Sequence, residues 1–282
     1  MQPYIEKAKV LLEALPYIQK FSGKTVVIKY GGSAMEDEAL KRSVAKDIVL
    51  LKYVGICPVV VHGGGPEINQ WLDKLGIESS FVEGQRVTTP QAMEVIEMVL
   101  TGKVNKSLVH YINLEGGRAV GLSGKDAGLI QAKRYEKKDL GLVGEITRIN
   151  PEILIQLEQN GYIPVISTVG YHPDGTSLNI NADVAAAQIA IALKAEKLIM
   201  LSNVEGILDT NKSIIKQIVA SEIKHHIEVG TISGGMIPKV NSALSAIEGG
   251  VRQVHVISGD TPHSILLELF TDVGIGSMIK AS

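Results

Sequence analysis

Short apolar runs that alternate with helical patterns limit most strongly how this sequence can fold. The run Thr25–Tyr30 is followed by Gly31 and Gly32, and the run 58–61 is followed by His62 and three glycines at 63–65. Runs of this length, bounded by glycine, are typical of buried strands in a parallel sheet. The helices that connect parallel strands cover both faces of such a sheet. The sequence therefore predicts an α/β protein with an open, mostly parallel sheet, and ligands at the carboxyl ends of its strands.

The same alternation continues through the 282 residues. Strands are expected at 25–30, 57–61, 162–167, 197–201, 253–257 and 276–279. Helices are expected at 36–54, 66–75, 90–114, 151–159, 183–195, 221–228, 238–248 and 262–270. Shorter extended pieces are expected at 80–87, 118–122, 129–133 and 142–149, and a solvated hairpin tip at 133–139. We place a lobe boundary near residue 195, which gives an N-terminal lobe at 1–195 and a C-terminal lobe at 196–282.

The first residues form a separate amphipathic pattern ahead of the first strand. Apolar residues recur at helical spacing over 4–20, from Ile5 to Ile18. Pro16 falls late in this pattern, so a kink or a break is expected near Leu15. The apolar stripe needs a partner. That partner could be the chain's own domain or another subunit, and the pattern does not choose between them.

Charge and composition narrow the class of protein. The formal net charge is −2 and aromatic residues make up 4% of the chain, so neither a basic field nor stacking platforms for nucleic acid are expected. Glu6, Lys7 and Lys9 interrupt the N-terminus, so no signal peptide is expected, and no apolar run approaches the roughly 20 residues of a membrane span. We expect a cytoplasmic protein. Cys57, the single cysteine, is expected to be a packed core thiol.

The glycine turns are the first candidate site. Neither G-x-x-x-x-G-K-[ST] nor G-x-G-x-x-G occurs, which disfavours a Walker-type NTPase and a Rossmann dehydrogenase. Glycines after a strand let the backbone approach a ligand, and the following helix offers free N–H groups and a positive dipole end. Lys29 stands beside Gly31 and Gly32, where its ammonium group and the loop amides could converge on one anion. Two such turns at neighbouring strand ends could hold two anionic groups, which suits phosphoryl transfer.

Three further segments carry candidate residues, and two of them have an ordinary structural alternative. Asn181 and Asp183 open a helix as an N-cap and a first-turn acid, and Asp183 could in addition organise nearby lysines. Lys239 follows a glycine pair at another helix start, where it could face bound phosphate. Arg86 could clamp a carboxylate, or it could be an exposed hairpin arginine. The seven histidines show no metal-ligand spacing, so no protein-bound metal is expected.

Together these segments resemble the acetylglutamate kinases of the amino acid kinase family. The matching segments are 29–35 (KYGGSAM), 62–66 (HGGGP), 84–88 (GQRVT), 179–183 (NINAD) and 234–239 (GGMIPK), in the family's order. The Lys-x-Gly-Gly start is shared widely in the family, including aspartate kinases, whereas NINAD and GGMIPK are more specific to the acetylglutamate branch. The resemblance covers essentially the whole chain. It implies a three-layer αβα sandwich whose N-terminal lobe binds the amino acid and forms the dimer, and whose C-terminal lobe binds ATP.

The resemblance also implies a reaction and a set of roles. The reaction is the transfer of phosphate from ATP to the side-chain carboxylate of N-acetyl-L-glutamate, the second step of arginine synthesis, with Mg²⁺ carried by the nucleotide. The implied catalytic residues are Lys29, Lys239, Asp183, Gly32 and Gly64. The implied substrate-binding residues are Gly64, Gly65, Arg86 and Asn179. The implied nucleotide-binding residues are Lys29, Gly31, Gly32, Gly234, Gly235 and Lys239.

A subgroup of this family is inhibited by arginine and carries a kinked N-terminal helix that joins dimers into a ring-shaped hexamer. The positions that align with its arginine pocket are Tyr17, Lys197, His255, Glu268 and Gly274. The resemblance thus implies L-arginine as an inhibitor and a homo-oligomer, a hexamer built from dimers. Binding of a PII signalling protein stays open. Two rival hypotheses are another amino acid kinase, which acts on aspartate or glutamate, and a non-catalytic arginine-sensing relative.

Overall fold

The structure is a computed structural model that describes residues 1–35, 37–209, 211–272 and 274–281, without the side chains at 2, 3, 7, 10, 33 and 34. Within these residues the strands are β1 (Thr25–Tyr30), β2 (Cys57–His62), β3 (Phe81–Val82), β4 (Gln85–Arg86), β5 (Ala119–Ser123), β6 (Ile130–Arg134), β7 (Gly144–Ile149), β8 (Ile163–Ser167), β9 (Val169–Tyr171), β10 (Ser177–Asn179), β11 (Lys197–Ser202), β12 (Gln217–Val219), β13 (Gln253–Ser258) and β14 (Ser277–Lys280).

The α-helices of the same residues are α1 (Gln2–Phe21), α2 (Glu38–Tyr53), α3 (Gly65–Lys74), α4 (Pro90–Glu97), α5 (Asn105–Leu114), α6 (Glu152–Gln159), α7 (Ala182–Ala192), α8 (Ile223–Glu228), α9 (Met236–Glu248) and α10 (Ser264–Leu269). A π-helical segment, Met98–Val104, joins α4 to α5. Short 3₁₀ turns lie at Gly32–Met35, Asp126–Gly128 and Ala220–Glu222. None of the helices in the described residues has the length and apolarity that crossing a bilayer requires.

The main sheet has eight strands in the order β12-β14-β13-β11-β1-β2-β8-β5. Every neighbouring pair is parallel except β13 and β14. This confirms the predicted α/β architecture with a mostly parallel sheet. The middle of the chain builds a second, four-stranded sheet (β10-β9-β6-β7), and β3 and β4 form a hairpin.

Helices cover both faces of the main sheet because its side chains alternate between two apolar layers. On β1, Val26, Ile28 and Tyr30 pack into the layer that holds α2, α5 and α10. Val27 packs into the opposite layer, with α7 and α9. The strands are therefore buried on both faces, which explains why they read as continuous apolar runs rather than as alternating ones.

Strand register brings the two glycine turns to the same edge of the sheet. Tyr30 at the end of β1 is the partner of His62 at the end of β2. Lys29 is paired with Met200 on the other side of β1. Since all three strands run parallel, the turns that follow them meet at one edge, where ligands of open α/β sheets bind.

Several local predictions need correction. A kink or a break was predicted near Leu15, and a break does not occur, because α1 continues through Pro16, which removes only one N–H donor from the helical ladder. The predicted helix 90–114 is interrupted by the π-helical segment, and the strand β12 was not predicted. Cys57 is only partly buried, at the start of β2. The predicted helix 36–54 begins at a position outside the described residues, and α2 itself starts at Glu38.

Candidate active site

Two lysines meet on one carboxylate at the carboxyl edge of the sheet. Lys29 Nζ lies 3.0 Å from Asp183 Oδ1. Lys239 Nζ lies 2.9 Å from Asp183 Oδ2. Lys29 comes from β1, Asp183 from the first turn of α7, and Lys239 from the first turn of α9. The three side chains are 11 to 16% exposed, so water screens their charges only in part.

The electrostatics of this cluster keep the carboxylate ionised. Burial alone would raise the pKa of Asp183, but the charges of Lys29 and Lys239 outweigh it and bring the pKa to about 2. Burial and the nearby Lys29 charge lower the pKa of Lys239, and Asp183 opposes that shift. Because the folded-state pKa of Asp183 is depressed, its ion pairs stabilise the fold above about pH 4. That contribution is lost as the pH falls toward 2.

Asp183 also has the structural role that its position in the sequence predicted. Asn181 Oδ1 accepts hydrogen bonds from the backbone N–H groups of Asp183 and Val184, at 2.9 and 3.2 Å, and so caps α7. The cap fixes the direction in which the first turn leaves the strand edge, and Asp183 is placed between the two lysines. The helix cap and the charge cluster are therefore parts of the same arrangement.

The first glycine turn passes close to the neighbouring strand. Gly32 has a φ of +76°, which side-chain-bearing residues adopt only with strain, and a Cβ there would lie 3.1 Å from the backbone nitrogen of Asn203. A Cβ on Gly31 would lie 2.7 Å from Lys29 Nζ. The backbone of the turn and the ammonium group of Lys29 are thus packed against one another.

The second glycine turn rests on the π-helical segment Met98–Val104. A Cβ on Gly64 would lie 2.7 Å from Leu100 Cδ2 and 3.2 Å from Val104 Cγ2, whereas a Cβ on Gly65 would meet nothing within 4 Å. Gly64 is the N-cap of α3 and has no side chain to satisfy the first N–H groups of that helix. A bound anion could use those groups instead.

Arg86 and Asn179 face the same cleft. Arg86 is 7% exposed, which excludes the alternative of an exposed hairpin arginine. Its guanidinium group donates to Ser79 Oγ and Asn69 Oδ1 and stacks 4.6 Å from the centre of the Phe81 ring. Asn179 Nδ2 donates to Thr88 Oγ1 at 3.1 Å. Both side chains are held by neighbours rather than left to move, which favours recognition of a ligand at a fixed distance.

These residues line one cleft of about 310 Å³. It contains Lys29, Gly31, Gly32, Gly64, Gly65, Arg86, Asn179 and Asp183 of the predicted set. Gly234 and Gly235 lie elsewhere, on an adjoining cavity of about 780 Å³ beside α7 and α9. Gly84, Gln85 and Asn181 line both cavities, so the two spaces adjoin at the β3–β4 hairpin.

The sequence interpretation missed part of the cleft wall. Thr168, Val143 and Leu100 line the cleft although no motif marks them. Each lies far along the chain from the glycine turns, and only the packing of the second sheet and the π-helical segment brings it there. None of them stands in a glycine-rich turn or at a helix start, so the sequence offered no signal for them.

A second polar cluster lies at the other end of β11 and β13, under α1. Lys197 Nζ lies 3.0 Å from His255 Nε2, and His255 Nδ1 lies 2.5 Å from Glu268 Oε1. The other Glu268 oxygen accepts from the backbone N–H of Ile275 at 2.8 Å. Tyr17 on α1 donates to Asp272 at 2.5 Å. The five predicted arginine-site residues all line one cavity of about 290 Å³.

Burial governs the protonation of this second cluster. It lowers the pKa of Lys197 to about 8, against the attraction of Glu268. It also lowers the pKa of His255, so the ring is neutral, carries its proton on Nδ1 toward Glu268 and accepts from Lys197 through Nε2. Burial would raise the pKa of Glu268, but the hydrogen bond from His255 and the backbone donors lower it on balance. In the described residues, no group of three or more potential metal ligands occurs.

The chain is similar over nearly its whole length to proteins of known name. Relatives from Geotalea uraniireducens (strain Rf4) and Pelotomaculum thermopropionicum, both named acetylglutamate kinase, are 54% and 56% identical over 290 and 289 residues. Those alignments cover 99% and 98% of this chain, and the same shares of the relatives. A third relative of that name, from Carboxydothermus hydrogenoformans, is 55% identical over 292 residues, with 99% of each chain covered.

Solved structures agree at the level of the fold. N-acetylglutamate synthase from Neisseria gonorrhoeae, complexed with coenzyme A and N-acetyl-glutamate, has a TM-score of 0.87 at 26% identity, over 98% of this chain and 63% of that chain. Carbamate kinase from Giardia lamblia, at 18% identity and a TM-score of 0.65, shares the fold alone. A profile described as the amino acid kinase family matches residues 24–258. This chain is therefore a member of the amino acid kinase family.

Proposed function

We propose that this kinase transfers the γ-phosphoryl group of ATP to the side-chain carboxylate of N-acetyl-L-glutamate, in the arginine biosynthesis that the name of its relatives implies. The observation that carries the proposal is the pair of ammonium groups, Lys29 and Lys239, held on Asp183 at a cleft with two glycine turns. The relatives named acetylglutamate kinase support the choice of acceptor.

The proposed chemistry needs charge stabilisation rather than a base. A carboxylate oxygen of the substrate forms a bond to the γ-phosphorus while the bond from that phosphorus to the β,γ-bridging oxygen breaks, and ADP leaves. The acceptor is already ionised, so no proton has to be removed. The barrier lies in bringing anions together, and preorganised donors offset it. Lys29 and Lys239 offset the negative charge on the transferring phosphoryl group, and Asp183 orients both lysines. The N–H groups of Gly32 and Gly64 donate to the oxygens of the phosphoryl group.

Recognition of the two substrates is assigned to opposite sides of the lysine pair. Arg86, Asn179 and Gly65 hold the acetylglutamate, with the planar guanidinium group on its α-carboxylate. Gly31, Gly234 and Gly235 contact the nucleotide, the latter two from the turn before α9. Each lobe then contributes one lysine: residues 1–195 bind the amino acid and form the dimer, and residues 196–282 bind ATP.

Magnesium is assigned to the nucleotide. The carboxylate in the cleft, Asp183, already pairs with two ammonium groups, which makes it a poor ligand for a cation. Mg²⁺ keeps several waters and prefers phosphate oxygens in sites of this kind. The chain's own residues therefore bind and orient the metal–ATP complex through its phosphates.

An ADP-release assay with purified protein tests the proposal. We expect ADP formation with ATP, Mg²⁺ and N-acetyl-L-glutamate, and little with aspartate or glutamate, which lack the acetyl group. Lys29→Ala and Lys239→Ala should each lose kcat by about 10²–10³, the cost of one oxyanion-hole donor. The control is Lys224→Ala, since Lys224 is 87% exposed on α8. Near-normal kcat in the first two variants would refute their assignment, and preference for a free amino acid would refute the acceptor.

We also propose that L-arginine inhibits the enzyme through the cavity lined by Tyr17, Lys197, His255, Glu268 and Gly274. The support is chemical: the cavity offers an ammonium group for a carboxylate and a carboxylate for a guanidinium group. Titration of arginine into the same assay tests this, and unchanged activity at millimolar arginine would dispose of it. The homo-oligomer is proposed to be a hexamer built from dimers, joined through α1.

A further inference from the structure

His62 ends β2 and stands directly before the glycine turn of the cleft. It is fully buried, with no surface open to solvent. Its Nδ1 lies 2.8 Å from the carbonyl oxygen of Gly63, and its Nε2 lies 3.0 Å from Asn105 Nδ2. The phosphoryl-transfer chemistry proposed above uses neither of these ring nitrogens.

The neighbours of Asn105 determine where the ring proton sits. Asn105 Nδ2 lies 2.9 Å from the carbonyl oxygen of Val165, and Asn105 Oδ1 lies 3.0 Å from Lys106 Nζ. A carbonyl oxygen only accepts and an ammonium group only donates, so the amide can have only this orientation. The amide nitrogen then donates to His62 Nε2, which must accept. The proton therefore resides on Nδ1 and is donated to Gly63.

The hydrogen bond to the Gly63 carbonyl also orients the next N–H group. In a trans peptide unit the C=O of Gly63 and the N–H of Gly64 point in opposite directions. In the described part of the chain no acceptor pairs with the Gly64 N–H, and Gly63, Gly64 and Gly65 line the cleft. Glycine adopts positive and negative φ with equal ease, so an unrestrained peptide here could rotate. Rotation would present a carbonyl oxygen to an anion.

We propose that His62 is a positioning residue: its neutral, Nδ1-protonated ring holds the Gly63 carbonyl and thereby aims the Gly64 N–H at the transferring phosphoryl group. The inference rests on the proposed function of the glycine turn. His62 does not itself touch substrate. It acts through the backbone of the next two residues.

The residues around Asn105 leave space for its side chain to contact His62. Gly121 on β5 has no side chain where a Cβ would lie 1.9 Å from Asn105 Oδ1. Asn105 begins α5 directly after the π-helical segment, a feature that often marks functional sites because it changes where the following side chains point. The same segment contacts Gly64 through Leu100 and Val104. The glycine turn is thus held by one helical region both through His62 and through direct packing.

Two substitutions at position 62 separate the two ring nitrogens. In His62→Asn the amide nitrogen takes the place of Nδ1 and can still donate to the Gly63 carbonyl. In His62→Gln the longer side chain reaches the place of Nε2 and leaves that carbonyl unpaired. Each variant loses one buried hydrogen bond, so both should melt at similar temperatures. We expect His62→Asn to retain kcat within about fivefold of the wild type, and His62→Gln to lose about 10², the cost of a misplaced catalytic group.

The matched control is His110→Asn, because His110 is an exposed histidine on α5. Equal kcat in folded His62→Asn and His62→Gln would overturn the inference. A second measurement keeps it separate from the proposed function: affinity for a nonhydrolysable ATP analogue, by calorimetry with the intact protein. His62→Gln should weaken this binding at least fivefold and His62→Asn less than twofold. Inactivity of the wild type on acetylglutamate would refute the proposed function alone, and equal analogue affinities would refute the role of His62.

Discussion

Asp183 compensates two positive charges that would otherwise repel each other. Lys29 and Lys239 each lie about one hydrogen-bond length from its oxygens, and all three side chains are largely buried. Removal of one partner from a buried ion pair leaves an uncompensated charge, which costs more than the pair itself contributes. At the scale of single residues, the stability of the cleft and its ability to bind anions depend on the same carboxylate.

Asp183→Asn should therefore lower both stability and activity. We expect a loss of roughly 3 kcal/mol in the free energy of unfolding, somewhat reduced by the partial exposure of the site. We also expect a fall in kcat of at least about 10². Urea denaturation and the ADP-release assay measure the two effects.

Added ATP supplies negative charge between the same lysines. ATP should therefore raise the melting temperature of Asp183→Asn by more than it raises that of the wild type. An equal or smaller rise would contradict the view that phosphate and Asp183 occupy equivalent electrostatic positions. Glu97 pairs with Lys125, does not line the cleft and provides a control carboxylate, Glu97→Gln, for which no such difference is expected.

At the scale of secondary-structure elements, the π-helical segment Met98–Val104 supports the second glycine turn. Leu100 and Val104 occupy the space that a Cβ on Gly64 would need. Added atoms in a well-packed region force side chains or backbone to shift, at a cost of about 1–3 kcal/mol. The segment and the turn therefore have to be considered as one packed unit.

Gly64→Ala and Gly65→Ala form a matched pair that tests this packing. Gly64→Ala should lower the free energy of unfolding by about 1–3 kcal/mol, because its methyl group meets Leu100 at 2.7 Å. Gly65→Ala should be neutral or stabilise by up to about 1 kcal/mol, since its methyl group meets nothing and alanine favours the helix. Chemical denaturation of both variants decides the matter. Equal changes in the free energy of unfolding would show that the π-helical segment moves aside without a loss of stability.

At the scale of the whole molecule, α1 leaves large apolar side chains in solvent. Tyr4, Leu11 and Leu12 are 71%, 74% and 64% exposed, although the helix is amphipathic. Exposed apolar surface of this kind marks interaction sites, and the proposed oligomer would cover it. The same helix carries Tyr17 to the cavity proposed for arginine, so the proposed assembly and the proposed inhibition would share one element.

Leu11→Glu combined with Leu12→Glu should disrupt the assembly. We expect the mass measured by light scattering to fall from that of a hexamer to that of a dimer, because a charge at each position opposes burial. The uninhibited kcat should change little, since the cleft lies at the opposite ends of the strands. Glu13→Lys on the same helix serves as the control for a general change of charge. An unchanged mass in the double variant would show that α1 does not join the subunits.

Inhibition by arginine should weaken as the pH rises. Burial lowers the pKa of Lys197 to about 8, so its ammonium form predominates at pH 7 and is mostly lost at pH 9. A ligand carboxylate loses its partner over that range. The arginine concentration for half inhibition should therefore increase severalfold from pH 7 to pH 9, while the KM for ATP, measured in parallel, provides the internal control. A constant or falling value would contradict a carboxylate-binding role for Lys197.

Much of the architecture follows from local sequence. Apolar runs and helical periodicity predicted the parallel sheet and its covering helices, because the spacing of apolar residues within each element shows which of its faces is buried. The Asn181 cap was also predictable, since capping involves residues two or three positions apart. Glycine pairs likewise indicated where the backbone approaches a ligand or a neighbouring strand.

The sequence by itself determined which elements form and which turns carry free N–H groups. Only the tertiary structure decided which side chains come into contact near those turns. Lys239 pairs with Asp183, His62 bonds to Asn105, and Arg86 stacks on Phe81. The π-helical segment belongs to the second group as well, because its pattern of apolar residues does not differ from that of an α-helix. Spacing reports contacts within a few residues, whereas these contacts join distant positions whose approach depends on how whole layers pack.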